Sequence, residues 1–158
     1  MKKILTILVI FILVSTIFSV NLKANSTKFY ANFGIMTDDS FTFDPFLWYI
    51  GANIDFSIND LLMISPEVNV LTYKFKFSAF LLEPAVLANF KFGSLFVGAG
   101  VTTFVLITGS TANFATDVAL KINAGIKSGN LKFRIFLITP FNNIFKSNVI
   151  GAQVGIGF

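Results

Sequence analysis

Alternation of apolar residues with small or polar ones is the feature that most limits what this chain can fold into. In WYIGANIDFSI, residues 48–58, every even position is apolar, and the odd positions hold Tyr, Gly, Asn, Asp and Ser. LKINAGIK (120–127) and VIGAQVGIGF (149–158) alternate in the same way. Successive side chains of a β-strand point to opposite faces of the sheet, so a period of two residues predicts strands with one apolar face.

Eight segments carry this pattern, some less regularly than others, and polar or Gly-containing turns separate them. They are 28–36, 48–58, 62–73, 79–92, 94–105, 120–127, 131–139 and 149–158. Strands of about 9–11 residues can cross a bilayer at a tilt, and a closed barrel leaves no unpaired edge in lipid. The connections alternate between short turns and longer loops. The sequence therefore predicts an all-β fold, an eight-stranded antiparallel up-and-down transmembrane β-barrel over residues 25–158.

Aromatic residues lie near both ends of the predicted strands. Transmembrane barrels carry two aromatic girdles, one at each boundary between membrane and water. The candidates on the loop side are Phe46, Trp48, Tyr73, Phe75, Phe77 and Phe80, and those on the turn side are Phe56, Phe90, Phe92 and Phe158. This distribution favours strands that cross the bilayer.

Residues 1–24 have the layout of a cleavable signal helix. Lys2 and Lys3 precede an apolar run from Ile4 to about Val20, and a short polar stretch ends at Ala24. This layout predicts export through the Sec pathway and cleavage. An uncleaved membrane anchor is the alternative, because about 17 apolar residues approach the length of a spanning helix. Removing residues 1–24 leaves nine basic and eight acidic residues, so charge gives no argument for a nucleic-acid partner.

Charged residues on the polar face of the strands are expected to point into the barrel. Glu67 and Glu83 lie on consecutive strands and could face each other as a glycosidase-like dyad or a cation site. The expected arrangement is instead a neutralised network, because buried charges must be paired and a narrow lumen leaves no room for a sugar or lipid. The members of this predicted lumen charge network are Asp55, Glu67, Glu83, Lys121, Lys132 and Arg134.

The residue inventory argues against catalysis. The chain contains no His and no Cys. A Ser–His relay is therefore excluded, and so are thiolate metal sites, disulfides and lipid attachment through an N-terminal Cys. The sequence predicts a protein that is not an enzyme and that carries no cofactor and no metal site.

Two prolines conflict with regular strands. Pro66 and Pro84 lie inside adjacent predicted strands, where each removes a hydrogen bond from the ladder. A closed barrel has no edge strand on which a proline would be harmless. We therefore expect a β-bulge at each position, or a local break near the barrel rim.

The final strand ends on an aromatic residue that alternating apolar residues precede. The pattern consists of Ile150, Ala152, Val154, Ile156 and Phe158. It resembles the C-terminal strand of bacterial outer-membrane β-barrels. The resemblance implies that these residues are an assembly signal and that the barrel-assembly machinery binds this strand.

Most of the chain after residue 24 is similar to the small OmpA/OmpX-like barrels and to the outer-membrane protein β-barrel domain family. The similarity is carried by SPEVNV (Pro66, Glu67), LLEPAV (Glu83, Pro84) and LFVGAG (Phe96 to Gly100). It implies an integral, monomeric, non-enzymatic protein of the bacterial outer membrane, in contact with membrane lipid, with a filled polar lumen and a structural or surface-interaction role.

Two other functions remain open at this point. A narrow pore or small-solute conduit would use the same barrel with an open lumen. A secreted soluble lipocalin-like carrier would need the apolar face inside. No periplasmic domain for attachment to the cell wall is expected after Phe158.

Overall fold

The computed structural model describes residues 26–38, 46–75, 78–109, 111–114, 117–144 and 148–158. The predicted signal helix and Phe77 lie outside these residues. In the described part of the chain no helix is long and apolar enough to span a membrane.

The described residues form ten strands and one 3-10 helix, Phe141–Asn143. The strands are β1 Ser26–Asp38, β2 Leu47–Ser57, β3 Leu62–Thr72, β4 Ala79–Phe92, β5 Leu95–Thr102, β6 Val105–Thr108, β7 Thr111–Phe114, β8 Ala119–Ser128, β9 Leu131–Pro140 and β10 Val149–Gly157. All the predicted strands are present, and their bounds differ from the predicted ones by a few residues at most, except around residues 102–119.

Pairing between neighbouring strands closes the sheet. The order is β3, β2, β1, β10, β9, β8, β5, β4, and β4 pairs with β3 again. β6 continues β5 along β4 in an unchanged register after a break at Thr103 and Phe104. β7 pairs with β6 and precedes β8. The result is a closed, eight-stranded antiparallel β-barrel, and the predicted fold class is confirmed.

The strand faces are divided as the alternation predicted. In β10, for example, Gln153 is buried and Val154 is exposed. The buried side chains of the barrel include charged residues and many Asn, whereas the exposed large side chains are Phe, Ile, Leu and Val. This division is the reverse of the one that a soluble barrel needs, so it contradicts the lipocalin-like alternative.

Glycines on the inner face make room for the large polar side chains. Gly34 lies in register between Tyr49 and Gln153, on the two neighbouring strands. Large inward side chains flank the other inner glycines of the ladders in the same way, and these are Gly51, Gly98, Gly100, Gly125, Gly151 and Gly155. Small and large side chains thus alternate around the interior, as a narrow barrel requires.

The two prolines interrupt the ladders without a bulge. Pro66 pairs in register with Val86 on β4, but the β2–β3 ladder has a gap beside it. Pro84 pairs in register with Val68 on β3, and the gap lies on its other side, opposite Thr103 and Phe104. The N–H and C=O of a strand residue point to the same neighbour, so each proline weakens one ladder only. The expected bulges are absent, and the breaks lie in mid-strand rather than near the rim.

The predicted connection between segments 94–105 and 120–127 also needs correction. β6 and β7 form a hairpin there, and their register runs from Val105 opposite Phe114 to Thr108 opposite Thr111. Gly109 has φ 58°, a left-handed conformation that glycine adopts readily. The polar sequence TGSTAN, residues 108–113, therefore contains a turn together with parts of two strands, and composition alone did not separate them.

Candidate functional site

The predicted lumen residues all lie inside the barrel and are buried. They divide into two groups. The central cluster consists of Glu67, Glu83, Lys121 and Arg134. The turn-side cluster lies nearer the short turns and consists of Asp55, Lys132 and Lys127, a residue that was not among the predicted members.

Lys121 is the centre of the central cluster. Its Nζ donates to Glu67 Oε1 at 2.6 Å, to Glu83 Oε1 at 2.7 Å and to Tyr49 Oη at 2.8 Å. An ammonium group has three donors, so all of them are used. The same Nζ lies 4.4 Å from the centroid of the Phe136 ring, a distance at which a ring face attracts a cation.

The two glutamates do not face each other directly. Glu83 pairs in register with Asn69, and Glu67 pairs with Ala85, so the carboxylates are diagonal neighbours. Lys121 bridges them. Direct opposition of the two carboxylates would require Glu67 to pair with Glu83, and the observed register is shifted from that pairing by two residues.

Neutral groups satisfy the remaining acceptors of Glu83. Tyr49 donates its hydroxyl to Oε2 at 2.7 Å, and the Asn69 amide donates to the same oxygen at 3.0 Å. Thr102 Oγ1 lies 2.9 Å from Glu83 Oε1 and 3.0 Å from the Pro84 carbonyl oxygen. The Pro84 carbonyl oxygen also accepts from the Thr103 N–H at 3.4 Å, so both threonines bind the backbone beside the ladder gap.

Arg134 connects the central cluster to the far wall of the barrel. Its Nη2 donates to Glu67 Oε2 and forms an ion pair with that carboxylate. The same atom donates to Gln153 Oε1 at 2.8 Å. Because Arg134 is on β9 and Glu67 is on β3, this contact crosses the lumen between strands that are not neighbours.

The turn-side cluster is built on Asp55. Lys132 Nζ donates to both carboxylate oxygens, at 2.9 and 3.0 Å. Lys127 Nζ lies 2.6 Å from Oδ2. Ser65 and Asn53 donate to Oδ1 at 2.7 and 2.6 Å. Two cations therefore meet one carboxylate, and the Lys127 side chain is 24% exposed whereas that of Lys132 is fully buried.

A chain of side-chain hydrogen bonds extends the turn-side cluster around the wall. The Asn32 amide donates to Asn53, and the Asn89 amide donates to Ser65, each at 3.0 Å. The Asn123 amide donates to Asn89, also at 3.0 Å. The chain thus reaches from β1 to β8, and its amides hold the walls of the barrel in register.

Apolar side chains pack together inside the loop end of the barrel. The buried members of this group are Met36, Tyr49, Leu71, Ala119, Phe136 and Ile138. The Tyr49 and Phe136 rings are 5.2 Å apart between centroids. The central cluster therefore lies between an apolar layer on the loop side and the Asp55 cluster on the turn side.

Sequence reasoning missed several members of the network. Lys127 follows Ile126 and is six residues from Lys121, so it lies on the same face of the strand. The alternation alone could have placed it in the predicted lumen charge network. Tyr49 stands on the polar face of WYIGANIDFSI, but it was not assigned a partner. The residues whose contacts could not be foreseen are those that reach across the lumen, because the alternation gives the face of a residue and not its height in the barrel.

The residues of the predicted assembly signal lie on the outer face of β10 or just after it. Ala152, Val154 and Ile156 are exposed, and Phe158 is 79% exposed. Ile150 is half-buried. The inner residues between them pair with β1 and β9. The described structure therefore presents an apolar stripe on the outer surface of this strand.

Comparison with known proteins finds similarity at the level of structure. No protein-family model and no curated protein matches the chain. A de novo designed transmembrane β-barrel matches with a TM-score of 0.55 at 10% identity, over 83% of this chain and 95% of the other. Neisserial surface protein A matches with a TM-score of 0.51 at 15% identity, over 84% and 96% of the two chains. The N-terminal β-barrel domain of Pseudomonas aeruginosa OprF has a TM-score of 0.49 at 14% identity, over 83% and 97%.

At these identities the likeness concerns the fold alone. The designed barrel and the neisserial protein each match over nearly their whole length. The interior of this chain carries its own set of paired charges, and its outer surface is apolar. The chain has the closed eight-stranded antiparallel fold of transmembrane β-barrels.

Proposed function

We propose that this protein is a monomeric integral protein of the bacterial outer membrane, with a filled polar lumen and a structural or surface-interaction role. The observation that carries the proposal is the distribution of side chains. Charged and amide groups are buried inside, and Phe33, Ile135 and Val154 are among the apolar residues exposed outside. Exposed apolar surface of this extent is unfavourable in water. In lipid it contacts acyl chains, and the closed ladder leaves no unpaired edge.

A filled lumen is the second part of the proposal. The fully buried charges balance, with Asp55, Glu67 and Glu83 against Lys121, Lys132 and Arg134. Their contacts cross the barrel at two levels, and the apolar group lies beyond them at the loop end. Moving an ion through this interior would require breaking buried ion pairs, which is costly. This arrangement favours a filled lumen over an open conduit.

The proposed role does not include catalysis or a cofactor. Glu67 and Glu83 each accept bonds from cations or neutral donors, so a glycosidase-like dyad would first have to lose these partners. Among the described residues no group of three or more His, Cys, Asp or Glu side chains could hold a metal ion. The occupied acceptors of the two glutamates support a structural function for these carboxylates.

Export and assembly complete the proposal. Residues 1–24 would direct the chain through the Sec pathway and be removed. The outer stripe of β10 would then bind the barrel-assembly machinery before the ladders with β1 and β9 close. The exposure of Ile156 and Phe158 supports this step, because an exposed apolar stripe on one strand is a surface that a partner strand or groove can bind.

The test is gel mobility of the chain without residues 1–24, folded in detergent, with and without boiling. A closed membrane barrel resists SDS until it is heated, so the two samples should migrate differently, and the unboiled one should give a strand-type circular dichroism spectrum. Equal mobility, together with solubility after detergent removal, would contradict the proposal.

A pair of arginine substitutions sharpens the test. Ile135→Arg puts a charge on the outer face in the middle of β9, and Ser128→Arg puts the same charge at the exposed end of β8. A lipid-facing arginine near mid-membrane costs about 2–4 kcal/mol. Insertion into vesicles should therefore fall for Ile135→Arg and stay unchanged for Ser128→Arg. Equal insertion of the two variants would argue that Ile135 does not face lipid.

Planar bilayers separate the filled lumen from the conduit. We expect no steady conductance from the wild-type barrel. A conductance that Glu67→Gln or Arg134→Gln abolishes would favour the conduit instead, because it would show that the buried ion pairs line a permeation path.

A further inference from the structure

The barrel closes where β1 pairs with β10. This ladder runs from Tyr30 opposite Gly157 to Asp38 opposite Val149, and we call it the closure seam. Its two strands are farther apart in the sequence than any other paired strands of the described sheet. The entropic cost of bringing chain segments together grows with their separation, so we expect the closure seam to form last. The amides at its ends therefore report whether the barrel is closed.

Contacts outside the ladder hold the turn end of the closure seam. Lys28 Nζ, on β1, donates to the Gly129 carbonyl oxygen at 2.8 Å and to Asn130 Oδ1 at 2.9 Å. The Gly157 N–H, on β10, donates to the Asn130 carbonyl oxygen at 2.6 Å. Gly129 and Asn130 form the two-residue turn between β8 and β9. This turn therefore binds both strands of the seam, and we call Lys28, Gly129, Asn130 and Gly157 the seam clasp.

Two glycines make the seam clasp possible. Gly129 has φ 59°, a left-handed conformation that glycine adopts readily, so the tight turn forms without strain. A β-carbon on Gly157 would lie 2.7 Å from Lys28 Cε and 2.9 Å from a carbon of the Tyr30 ring. The lysine stem therefore passes over β10 at a position where that strand carries no side chain.

The contacts of Lys28 differ from those of the lysines in the lumen clusters. Lys28 is in register with Asp55 on β2, but Asp55 forms its ion pairs with Lys127 and Lys132. The Lys28 ammonium group reaches across β10 instead and binds neutral oxygens of the exposed β8–β9 turn. Hydrogen bonds from a charged donor are stronger than those between neutral groups. The turn is thus held by the cation and not by charge balance.

We propose that the seam clasp controls access to the end of the assembly signal. The inference rests on the proposed function, in which the barrel-assembly machinery binds β10. Phe158 directly follows the clasp, and its N–H donates to the Phe29 carbonyl oxygen at 3.0 Å. While Gly157 and Phe158 are bound in this way, their N–H groups cannot pair with a partner strand. Formation of the clasp therefore displaces a partner strand from the end of β10 and completes release of the barrel.

Hydrogen exchange measures opening of the seam clasp. The chain without residues 1–24 is folded in lipid nanodiscs, and exchange of single amides is followed by NMR. Lys28→Met should speed exchange of the Gly157 and Phe158 amides about two- to fivefold, the effect of losing the exposed contacts of one cation. The Val154 amide, in the middle of β10, should be unchanged. Lys91→Met removes a half-buried lysine from the turn end of β4, away from the seam, and should change none of these amides.

A substitution in the turn should strengthen the clasp. Asn130→Asp places a carboxylate beside the Lys28 ammonium group, so exchange of the Gly157 amide should slow. In the Lys28→Met background the same substitution should have no effect. Gly129→Ala strains the turn and should speed exchange at the seam, whereas Gly93→Ala, at φ 63° in the β4–β5 turn, should not. Unchanged exchange of Gly157 in Lys28→Met would overturn the proposal, as would an equal effect of Asn130→Asp with and without Lys28.

Assembly kinetics connect the clasp to the partner. The unfolded chain is added to vesicles that contain the reconstituted barrel-assembly machinery. Crosslinking from position 158 measures binding to the machinery, and gel mobility without boiling measures release of the SDS-resistant barrel. Lys28→Met should leave binding unchanged and slow release about two- to fivefold, and Lys91→Met should change neither.

The two readouts distinguish this proposal from the proposed function. A wild-type chain that binds the machinery and is released at the same rate as Lys28→Met would overturn only the control by the clasp. A wild-type chain that does not bind the machinery would contradict the proposed assembly step, and control of access to β10 would fail with it. A slower first binding step in Lys28→Met would also overturn the proposal, because the clasp would then act before closure.

Discussion

The two charged clusters of the lumen differ in how completely they are removed from water. In the central cluster Glu67, Glu83 and Lys121 have fully buried side chains, and two carboxylates balance two cations. In the turn-side cluster two lysines meet Asp55 alone, and one of them, Lys127, is 24% exposed. The central cluster is bounded by apolar side chains on the loop side. The turn-side cluster opens toward the short turns.

This difference follows from what each environment permits. A charge surrounded by protein must be neutralised within the barrel, because the cost of burying it alone is several kcal/mol. A lysine at the mouth can turn its ammonium group toward water, so strict balance is unnecessary there. The free energy of unfolding should therefore fall when any charged side chain of the central cluster is removed. In the turn-side cluster the fall should be smaller when the removed side chain is more exposed.

The largest effect is expected for Glu67→Gln. Glu67 is the carboxylate partner of Arg134 in the described ion pairs, and it also binds Lys121. Lys121 would keep Glu83, but the buried guanidinium would lose its carboxylate. Removing one partner of a buried pair costs about 3–5 kcal/mol. Urea unfolding of the barrel in lipid vesicles, followed by Trp48 emission, measures this loss.

The matched control removes the orphaned cation as well. In the double variant Glu67→Gln, Arg134→Met the remaining pair of Lys121 and Glu83 is balanced again. A substantial part of the lost unfolding free energy should return. A single Glu67→Gln variant that loses less than about 1 kcal/mol would mean that water reaches Arg134, and the comparison between the clusters would then fail.

Parity of position explains why much of this site could be predicted from the sequence. Asp55 alternates with Ile54 and Phe56, and Lys121 alternates with Leu120 and Ile122. One decision about which face meets lipid therefore assigned six charged strand residues to the interior, although it left out Lys127. The strand segments were predicted on the same basis, because each carries enough regular positions to outweigh its exceptions.

Contacts across the lumen depend on quantities that alternation does not contain. Arg134 meets Glu67 because the stagger of all the strands between β9 and β3 brings them to one height. The prolines were misjudged for a related reason. A bulge or a rim break was expected at each, whereas Pro66 keeps its register with β4 and interrupts only its ladder with β2. The hairpin of β6 and β7 was missed because β7, Thr111–Phe114, is short and mostly small or polar, and its pairing with β6 rather than its own pattern makes it a strand.

An intermediate effect is expected for Lys132→Met. The Lys132 side chain is buried and binds both oxygens of Asp55. Asp55 would keep Lys127 and two neutral donors, Ser65 and Asn53, so its charge would not be left alone. Losing hydrogen bonds to a charged group costs about 1.5–3 kcal/mol. The same urea unfolding assay measures the change in the free energy of unfolding. A loss as large as that of Glu67→Gln would show that the partly exposed Lys127 does not neutralise Asp55.

The smallest effect is expected for Lys127→Met, which removes the other cation from the same carboxylate. Lys132 then balances Asp55 by itself, and the lost cation was already partly in water. Partly exposed pairs contribute about 0–1 kcal/mol, and salt screens them. Unfolding of Lys127→Met should therefore differ little from wild type in dilute buffer and still less at high salt. Both lysines bind Asp55, so the two variants differ mainly in the exposure of the lost side chain. A Lys127→Met variant that is less stable than Lys132→Met would contradict exposure as the deciding variable. The contrast between the two clusters would then have to rest on something other than access to water.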